Sequence, residues 1–304
     1  MPESSPAPPP LSPRQWPVWL AIAFGWTLAR WPWRLAQRAG GALGVLMRWC
    51  MRSRGRTAAA NLALCFPEFD DSTRAKLLRA HFQSLGIGVF EFLRAWWGPL
   101  APLDGRYELL GLERLQAARA DGRGVILVSP HFTTLEICVR LLCRHVDIAG
   151  MYRPHDEAAL EWAVRRGRAR YTREMYSRGE LRPALRHLKA GGVLWFAPDQ
   201  ETRRGDSVFV PFFGQAAWSL TSTHQLARLS GAAVLPLFHQ RLADGSYRLE
   251  IGEPLADFPS ADATADTARV MQLLESLIRR VPAQYLWIHQ RFKRRPEGEA
   301  PIYR

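Results

Sequence analysis

Along this chain the apolar positions follow three rhythms in turn. An uncharged run, Gln15 to Ala29 (QWPVWLAIAFGWTLA), comes first. From Thr73 to Trp97 the apolar residues recur at helical spacing, which predicts one amphipathic helix with Asp71 or Ser72 as its N-cap and an interruption near Gly86 and Gly88. Beyond it, short apolar runs alternate with helical patterns. GVILVS (Gly124 to Ser129), DIAGMY (Asp147 to Tyr152), GVLWFAP (Gly192 to Pro198) and AVLPLFHQ (Ala233 to Gln240) read as strands, with helices over Thr133 to His145, Asp156 to Met175, Glu180 to Ala190 and Ser219 to Leu229. Such alternation predicts an α/β fold with a mainly parallel central sheet flanked by helices. No internal repeat at a solenoid period is present.

The ends of this pattern set the organisation. Six of the first 13 residues are proline, so residues 1–14 are expected to form an unpacked tail. The uncharged run is 15 residues long, short of the about 20 that span a bilayer. A short tilted span, a helix lying in the interface and a signal peptide compete for it. The last is disfavoured, because neither a basic leading region nor a small-residue cleavage site is present. Trp16, Trp19, Trp26, Trp31 and Trp33 suit a membrane interface, where an amphipathic ring is most stable. Arg34, Arg38, Arg48, Arg52, Arg54 and Arg56 follow, with no acidic residue before Glu68. This flank would stay on the cytoplasmic side of a spanning helix and would equally hold an interfacial helix on anionic lipid. Residues 15–56 are therefore read as a membrane-associated helical segment with a basic flank, and 57–304 as the domain that carries the chemistry.

Composition narrows the partners. The net charge of +13 calls for an anionic one, and only Lys76, Lys189 and Lys293 of the 41 basic residues are lysine. A nucleic-acid-binding module is the rival of a different class. No helix-turn-helix, RRM or zinc-finger pattern supports it, and the tryptophans gather in the apolar N-terminal run instead of interleaving with the basic clusters. Cys50, Cys65, Cys138 and Cys143 form no C-x-x-C pair, and no three ligands have metal-site spacing. No metal and no resident cofactor are expected.

The segment VILVSPHFTTLEIC (Val125 to Cys138) holds the candidate chemistry. A buried strand ends at Ser129-Pro130 and a helix begins a few residues later, the kind of junction at which open α/β sheets bind ligands. His131 sits there, five residues before Glu136. On one continuous helix the two would be about 140° apart. With His131 in the turn and Glu136 in the first helical turn, the imidazole can fold back to the carboxylate and act as a general base. Thr133-x-x-Glu136 also matches a capping box, in which Glu136 does no chemistry. Spacing alone leaves both open.

HFTTLE, His131 to Glu136, resembles the His-x4-Asp/Glu motif of the lysophospholipid and lipid A acyltransferase superfamily. NLALCFPE (Asn61 to Glu68), MYRP (Met151 to Pro154), WFAPDQ (Trp195 to Gln200), VFVPFFG (Val208 to Gly214) and QYLWIHQRFKRRPEG (Gln284 to Gly298) resemble, in order, the late acyltransferases of lipid A biosynthesis. The resemblance implies acyl transfer from an acyl carrier protein thioester to a hydroxyl of a Kdo-bearing lipid A precursor at the cell inner membrane, with the catalytic domain facing the cytoplasm. It implies His131 as base and Glu136 as the residue that orients it, without an acyl-enzyme. No G-x-S-x-G elbow is present. Arg168 and Asp199 also match family positions. Arg168 and Arg153 are candidates to bind phosphate or steady an oxyanion, and Asp199 to orient an arginine or cap a loop. Gln200 and Glu201 depart from the pattern, which bears on acceptor preference. Another lipid acceptor, a lysophospholipid, aminolipid or glycolipid, is the alternative within the class. Phe212, Phe213, Trp195 and Trp218 are candidates for the floor of an acyl groove.

Overall fold

The computed structural model describes residues 8–120, 122–177, 180–201 and 205–303. Four helices precede the sheet: α1 (Trp16–Leu28), α2 (Trp33–Cys50), α3 (Arg52–Cys65) and α4 (Asp71–Trp97). There follow β1 (Tyr107–Leu110), α5 (Leu112–Arg119), β2 (Val125–Val128), α6 (Leu135–Leu142), β3 (Ile148–Tyr152), α7 (Ala158–Arg168), β4 (Met175–Ser177), α8 (Leu181–Lys189) and β5 (Val193–Phe196). A hairpin of β6 (Ser207–Phe212) and β7 (Gln215–Leu220), then α9 (Ser222–Ser230), β8 (Ala233–Arg241), β9 (Tyr247–Ile251) and α10 (Ala263–Arg280) complete the described elements.

Seven strands form one sheet in the order β1-β9-β8-β2-β5-β3-β4. Every pairing in it is parallel except β8 with β9. The central strands bury both faces, and Val125 to Val128 are fully enclosed, as a continuous apolar run between helical layers requires. One core lies on the side of Phe82, Phe132, Phe212 and Trp287, and the other on the side of Leu115, Ile137, Leu141 and Tyr247. The four strands and the helical pattern between them form as the alternation predicts. The short elements β1, α5, β4 and β9, the β6–β7 hairpin and α10 add to it, and the predicted helix over 156–175 stops at Arg168, ahead of β4.

The predicted amphipathic helix is α4, whose N-cap is Asp70, with its carboxylate accepting from the Thr73 amide at 2.7 Å. It runs 27 residues without a break. Gly86 and Gly88 interrupt nothing; they bring backbones together. A Cβ on Gly86 would meet the Gly40 carbonyl oxygen of α2 at 2.2 Å, and one on Gly44 would meet the Phe82 carbonyl oxygen at 2.1 Å. Glycine at these crossing points lets α2 lie on α4 at backbone contact. A Cβ on Gly88 would come within 2.9 Å of the Thr133 carbonyl oxygen, so α4 also backs the loop that carries His131.

The N-terminal segment differs from a span. The helix α1 has 13 residues, and no helix among the described residues is long and apolar enough to cross a membrane. The apolar run ends where Arg30 folds back, its guanidinium donating to the Trp26 carbonyl and lying over that ring, and Pro32 leads into α2. The expected tail is described only from Pro8. Residues 1–7 lie outside the described residues, while the Pro10 carbonyl accepts from Trp19 Nε1 at 2.8 Å and Pro13–Gln15 forms a 3-10 turn.

The glycine contacts give a paired expectation. Gly44→Ala should lower unfolding stability by about 1–3 kcal/mol, because its methyl group meets backbone that cannot retreat. Gly41→Ala, one turn away with nothing within 4 Å of its Cβ, should be neutral or gain up to about 1 kcal/mol. Thermal unfolding of the two purified variants in detergent checks both.

Candidate active site

Strand register builds the site. The strands β2 and β5 are adjacent and parallel, with Val128 opposite Phe196. Each leaves the sheet through one small residue and one proline, Ser129-Pro130 and Ala197-Pro198. The third residue beyond each register partner, His131 on one strand and Asp199 on the other, therefore arrives at the same point above the carboxyl edge of the sheet. His131 Nδ1 lies 2.6 Å from Asp199 Oδ1, and the His131 amide donates to Oδ2 at 3.2 Å. Asp199 is fully buried, whereas the His131 side chain keeps 25% of its surface exposed. With Nδ1 held by a carboxylate, Nε2 is the nitrogen left for chemistry.

Burial alone would push the Asp199 carboxyl upwards. The His131 ring, its two hydrogen bonds and the Tyr285 phenol outweigh burial and hold the carboxyl below the usual range. The loop is fixed from the other side by Leu286, whose amide donates to the His131 carbonyl at 3.0 Å, and by Thr133, whose amide donates to the Gln284 carbonyl at 2.8 Å. Beneath it, His239 on β8 bonds Ser129 Oγ and Thr134 Oγ1 at 3.2 and 2.9 Å, and burial holds its pKa down at about 3, so it is a neutral strut. His289 is a second neutral imidazole close by, lowered to about 4 chiefly by burial, with Nε2 accepting from the Glu201 amide at 3.2 Å.

Glu136 does not reach His131. Its carboxylate is taken by Arg168, through Nε at 2.6 Å and Nη2 at 2.8 Å, by the Tyr171 hydroxyl at 2.6 Å and by Trp96 Nε1 at 2.8 Å. The expected His131–Glu136 contact is replaced by His131–Asp199 because Glu136 lies in the first turn of α6 and turns towards α7. The capping box is absent too: Thr134 is the N-cap residue and its side chain makes no capping bond, and Thr133 Oγ1 bonds Ser84 Oγ at 2.7 Å. Burial opposes charge on Glu136, and the Arg168 guanidinium with the Tyr171 and Trp96 donors outweighs it, keeping the carboxyl below its usual range.

The other candidates separate. Arg168 is tied to Glu136, with its guanidinium among Trp96 and Tyr152. Arg153 is on the surface, paired with the exposed Asp156 at 2.8 Å, and makes no hydrogen bond to the His131–Asp199 pair. Asp199 makes no hydrogen bond to an arginine among the described residues; it holds the His131 ring and caps the loop through the His131 amide. Phe212 and Phe213 pack in the core with Phe66 and Trp287, and Trp218 packs on Phe209. Only Trp195 adjoins the site, its ring edge-on to His131 at 6.1 Å and lining, with Ile148, Gly150 and Met175, a narrow cavity of about 50 Å³. Among the described residues no group of three or more His, Cys, Asp or Glu is placed to hold a metal.

Sequence reasoning missed the Asp199 role although a signal existed. Gly124 to His131 reads GVILVSPH and Gly192 to Asp199 reads GVLWFAPD. Two strands with the same apolar run and the same proline exit, paired in parallel, must deliver their next residues side by side. The C-terminal block is also explained, since Asn61 of α3 donates to the Trp287 and His289 carbonyls at 2.7 and 2.8 Å and so ties that block to the N-terminal helices.

A model of the family described as bacterial lipid A biosynthesis acyltransferase matches residues 7–294. The lipid A biosynthesis lauroyltransferase of Escherichia coli (strain K12) is 37% identical over 295 residues, 96% of each chain. The palmitoleoyltransferase of the same organism is 37% identical over the same share of both chains. A lipid A biosynthesis acyltransferase of Haemophilus influenzae is 32% identical over 96% of this chain and 94% of its own.

The buried groups fix a pH dependence. His81, His239 and His289 all have folded pKa values of about 3 to 4, against an unfolded value of about 6.5, so only the unfolded chain binds their protons between those limits. Stability should be level near neutrality and decline as pH falls below about 6.5. Glu136 and Asp199, whose folded values are depressed, should add a further loss below about 4. Denaturant midpoints measured across pH 3–8 check the order of the two limbs. Glu136→Ala, which strands the Arg168 guanidinium, should cost about 3–5 kcal/mol at pH 7 in the same assay.

Proposed function

The chain belongs to the bacterial lipid A biosynthesis acyltransferase family and is an acyltransferase, and from that premise we propose that it moves a fatty acyl chain from an acyl carrier protein thioester to a hydroxyl of a lipid A precursor, with His131 as general base held by Asp199. The observation that carries this reading is the His131–Asp199 pair at the carboxyl edge of β2 and β5.

In this reading the acceptor hydroxyl gives its proton to His131 Nε2 as its oxygen attacks the thioester carbonyl. Asp199 keeps the proton on Nδ1 and stabilises the imidazolium that forms. The tetrahedral intermediate collapses by breaking the carbon–sulfur bond, and the departing thiolate recovers the proton from Nε2. The histidine ends as it began, and the products are the acylated lipid and the free carrier thiol. Glu136 acts through structure: with Arg168, Tyr171 and Trp96 it joins α6 to α7 and α4 beside the site. Carrier protein is an acidic partner, and the net charge of +13 offers it electrostatic steering.

The N-terminal helices supply the lipid side. On α1 the residues Trp16, Leu20 and Phe24, four apart and so on one face, are 61%, 73% and 64% exposed. The opposite face is anchored to the body, where Gly25 would otherwise clash with Leu93 and Trp97 of α4. A short helix that is apolar on both sides fits one lying in the interface of the inner membrane, with the catalytic domain on the cytoplasmic side.

Acyl transfer by detergent-purified protein, from carrier thioesters to a Kdo-bearing lipid A precursor and read by mass spectrometry, tests the reaction. His131→Ala and Asp199→Asn should each lower the rate about 10²–10⁴-fold, while Glu136→Gln, corrected for the folded fraction, should lose less. A Glu136→Gln loss as deep as that of His131→Ala would return the orienting role to Glu136. Transfer only to a lysophospholipid would sink the lipid A assignment. For the interfacial helix, alkaline carbonate should release the protein from membranes, and retention in the pellet would mean a span.

A further inference from the structure

A groove of about 420 Å³ opens where α2 ends and α3 begins, lined by Val45, Arg48, Trp49 and Arg52 and, from α4, Arg79, Phe82 and Gln83. Phe82 is fully buried and forms an apolar floor, Trp49 is 69% exposed and stands at the side, and Arg48, Arg52 and Arg79 all line the same space. None of the three arginines has an ion pair or side-chain hydrogen bond among the described residues. Other arginines of the surface do find a carboxylate, as in Arg114–Glu253, Arg144–Asp104, Arg248–Glu108 and Arg280–Glu250. For Arg48 and Arg52 no carboxylate is available on α2 or α3, because no acidic residue occurs between Glu3 and Glu68. The first turn of α3, which begins at Arg52, has neither a side-chain cap nor an acidic residue, so its amide dipoles add to the positive field. Along α2 the groove continues into the exposed apolar side chains of Val45 and Leu46.

We propose that this groove binds the phosphate headgroup of an anionic membrane phospholipid, with Arg48, Arg52 and Arg79 on the phosphate and Trp49 and Phe82 against the adjoining glycerol and acyl carbons. The proposal rests on the interfacial reading of α1 and α2 and deepens it, since it names the lipid class that the surface selects. Guanidinium suits the task because it is always charged and offers paired donors to phosphate oxygens. The exposed Val45, Leu46 and Trp49 at the groove favour a lipid phosphate over a soluble one, which would have no use for them.

The test is flotation of the full-length protein with phosphatidylcholine vesicles, with and without phosphatidylglycerol. Wild type should bind the anionic vesicles at least about tenfold more tightly, in line with the contribution of a basic residue near a charged surface. Arg48→Gln/Arg52→Gln/Arg79→Gln should lose most of that preference while still binding neutral vesicles. A control that removes equal charge outside the groove, Arg34→Gln/Arg38→Gln/Arg56→Gln, should keep most of it, and circular dichroism should show both variants folded. Equal losses in the two variants would mean diffuse charge and overturn the site. An unchanged preference in the groove variant, with a raised KM for the acceptor lipid in detergent, would overturn it in favour of an acceptor phosphate. Wild type that binds neither vesicle would sink the interfacial reading itself, whereas wild type that binds both equally would sink only the phosphate site.

Discussion

The parallel register between β2 and β5 is the constraint on which the rest of the site depends. Because Val128 lies opposite Phe196, the prolines that end each strand lie opposite each other, and the residues after them meet. A slip of the register would separate His131 from Asp199 and would also unseat the fully buried β2 and the buried Val193 and Leu194 of β5, so the apolar core enforces this geometry. The loop contacts from Leu286, Gln284 and His239 refine a meeting that the sheet has already arranged.

Around this pair the protein uses buried charge in a consistent way. Glu136 with Arg168, and Glu91 with Arg241, are ion pairs whose acids also accept from tyrosine hydroxyls. Arg241 donates on to Ser84, which bonds Thr133. The buried polar groups thus form struts between α4, α6, α7 and β8, and each removes a degree of freedom from the loop that presents His131. In a low-dielectric interior such charges are tolerated only when satisfied, which gives this framework a specific geometry. Arg140 does similar work, capping the C-terminal carbonyls of α4 through Arg94, Ala95 and Gly98.

The N-terminal helices belong to the same mechanical unit. Their glycines press α2 onto α4, and α4 in turn backs the His131 loop through Gly88. The apolar belt of α1 and α2 is therefore rigidly related to the active site, which suits an acyltransferase whose acceptor is a lipid.

How much of this was legible in the sequence follows from the range of each interaction. The four strand runs, the helix that became α4 and the parallel α/β class are set by local periodicity, and they formed. His131 after the β2 run was visible for the same reason, as were the family blocks that include Asn61 and Asp199. The partner of His131 was not. Spacing pointed to Glu136, five residues on, but the contact formed is with Asp199, 68 residues away, because strand pairing decides neighbours across the sheet and α6 turns Glu136 to Arg168 of α7. Likewise Gly86 and Gly88 look like helix breakers in one dimension and are contact points in three. The sequence by itself determined the elements and the chemical groups, since those depend on the nearest few residues; the tertiary structure alone decided which groups meet, since that depends on sheet order, register and helix crossings.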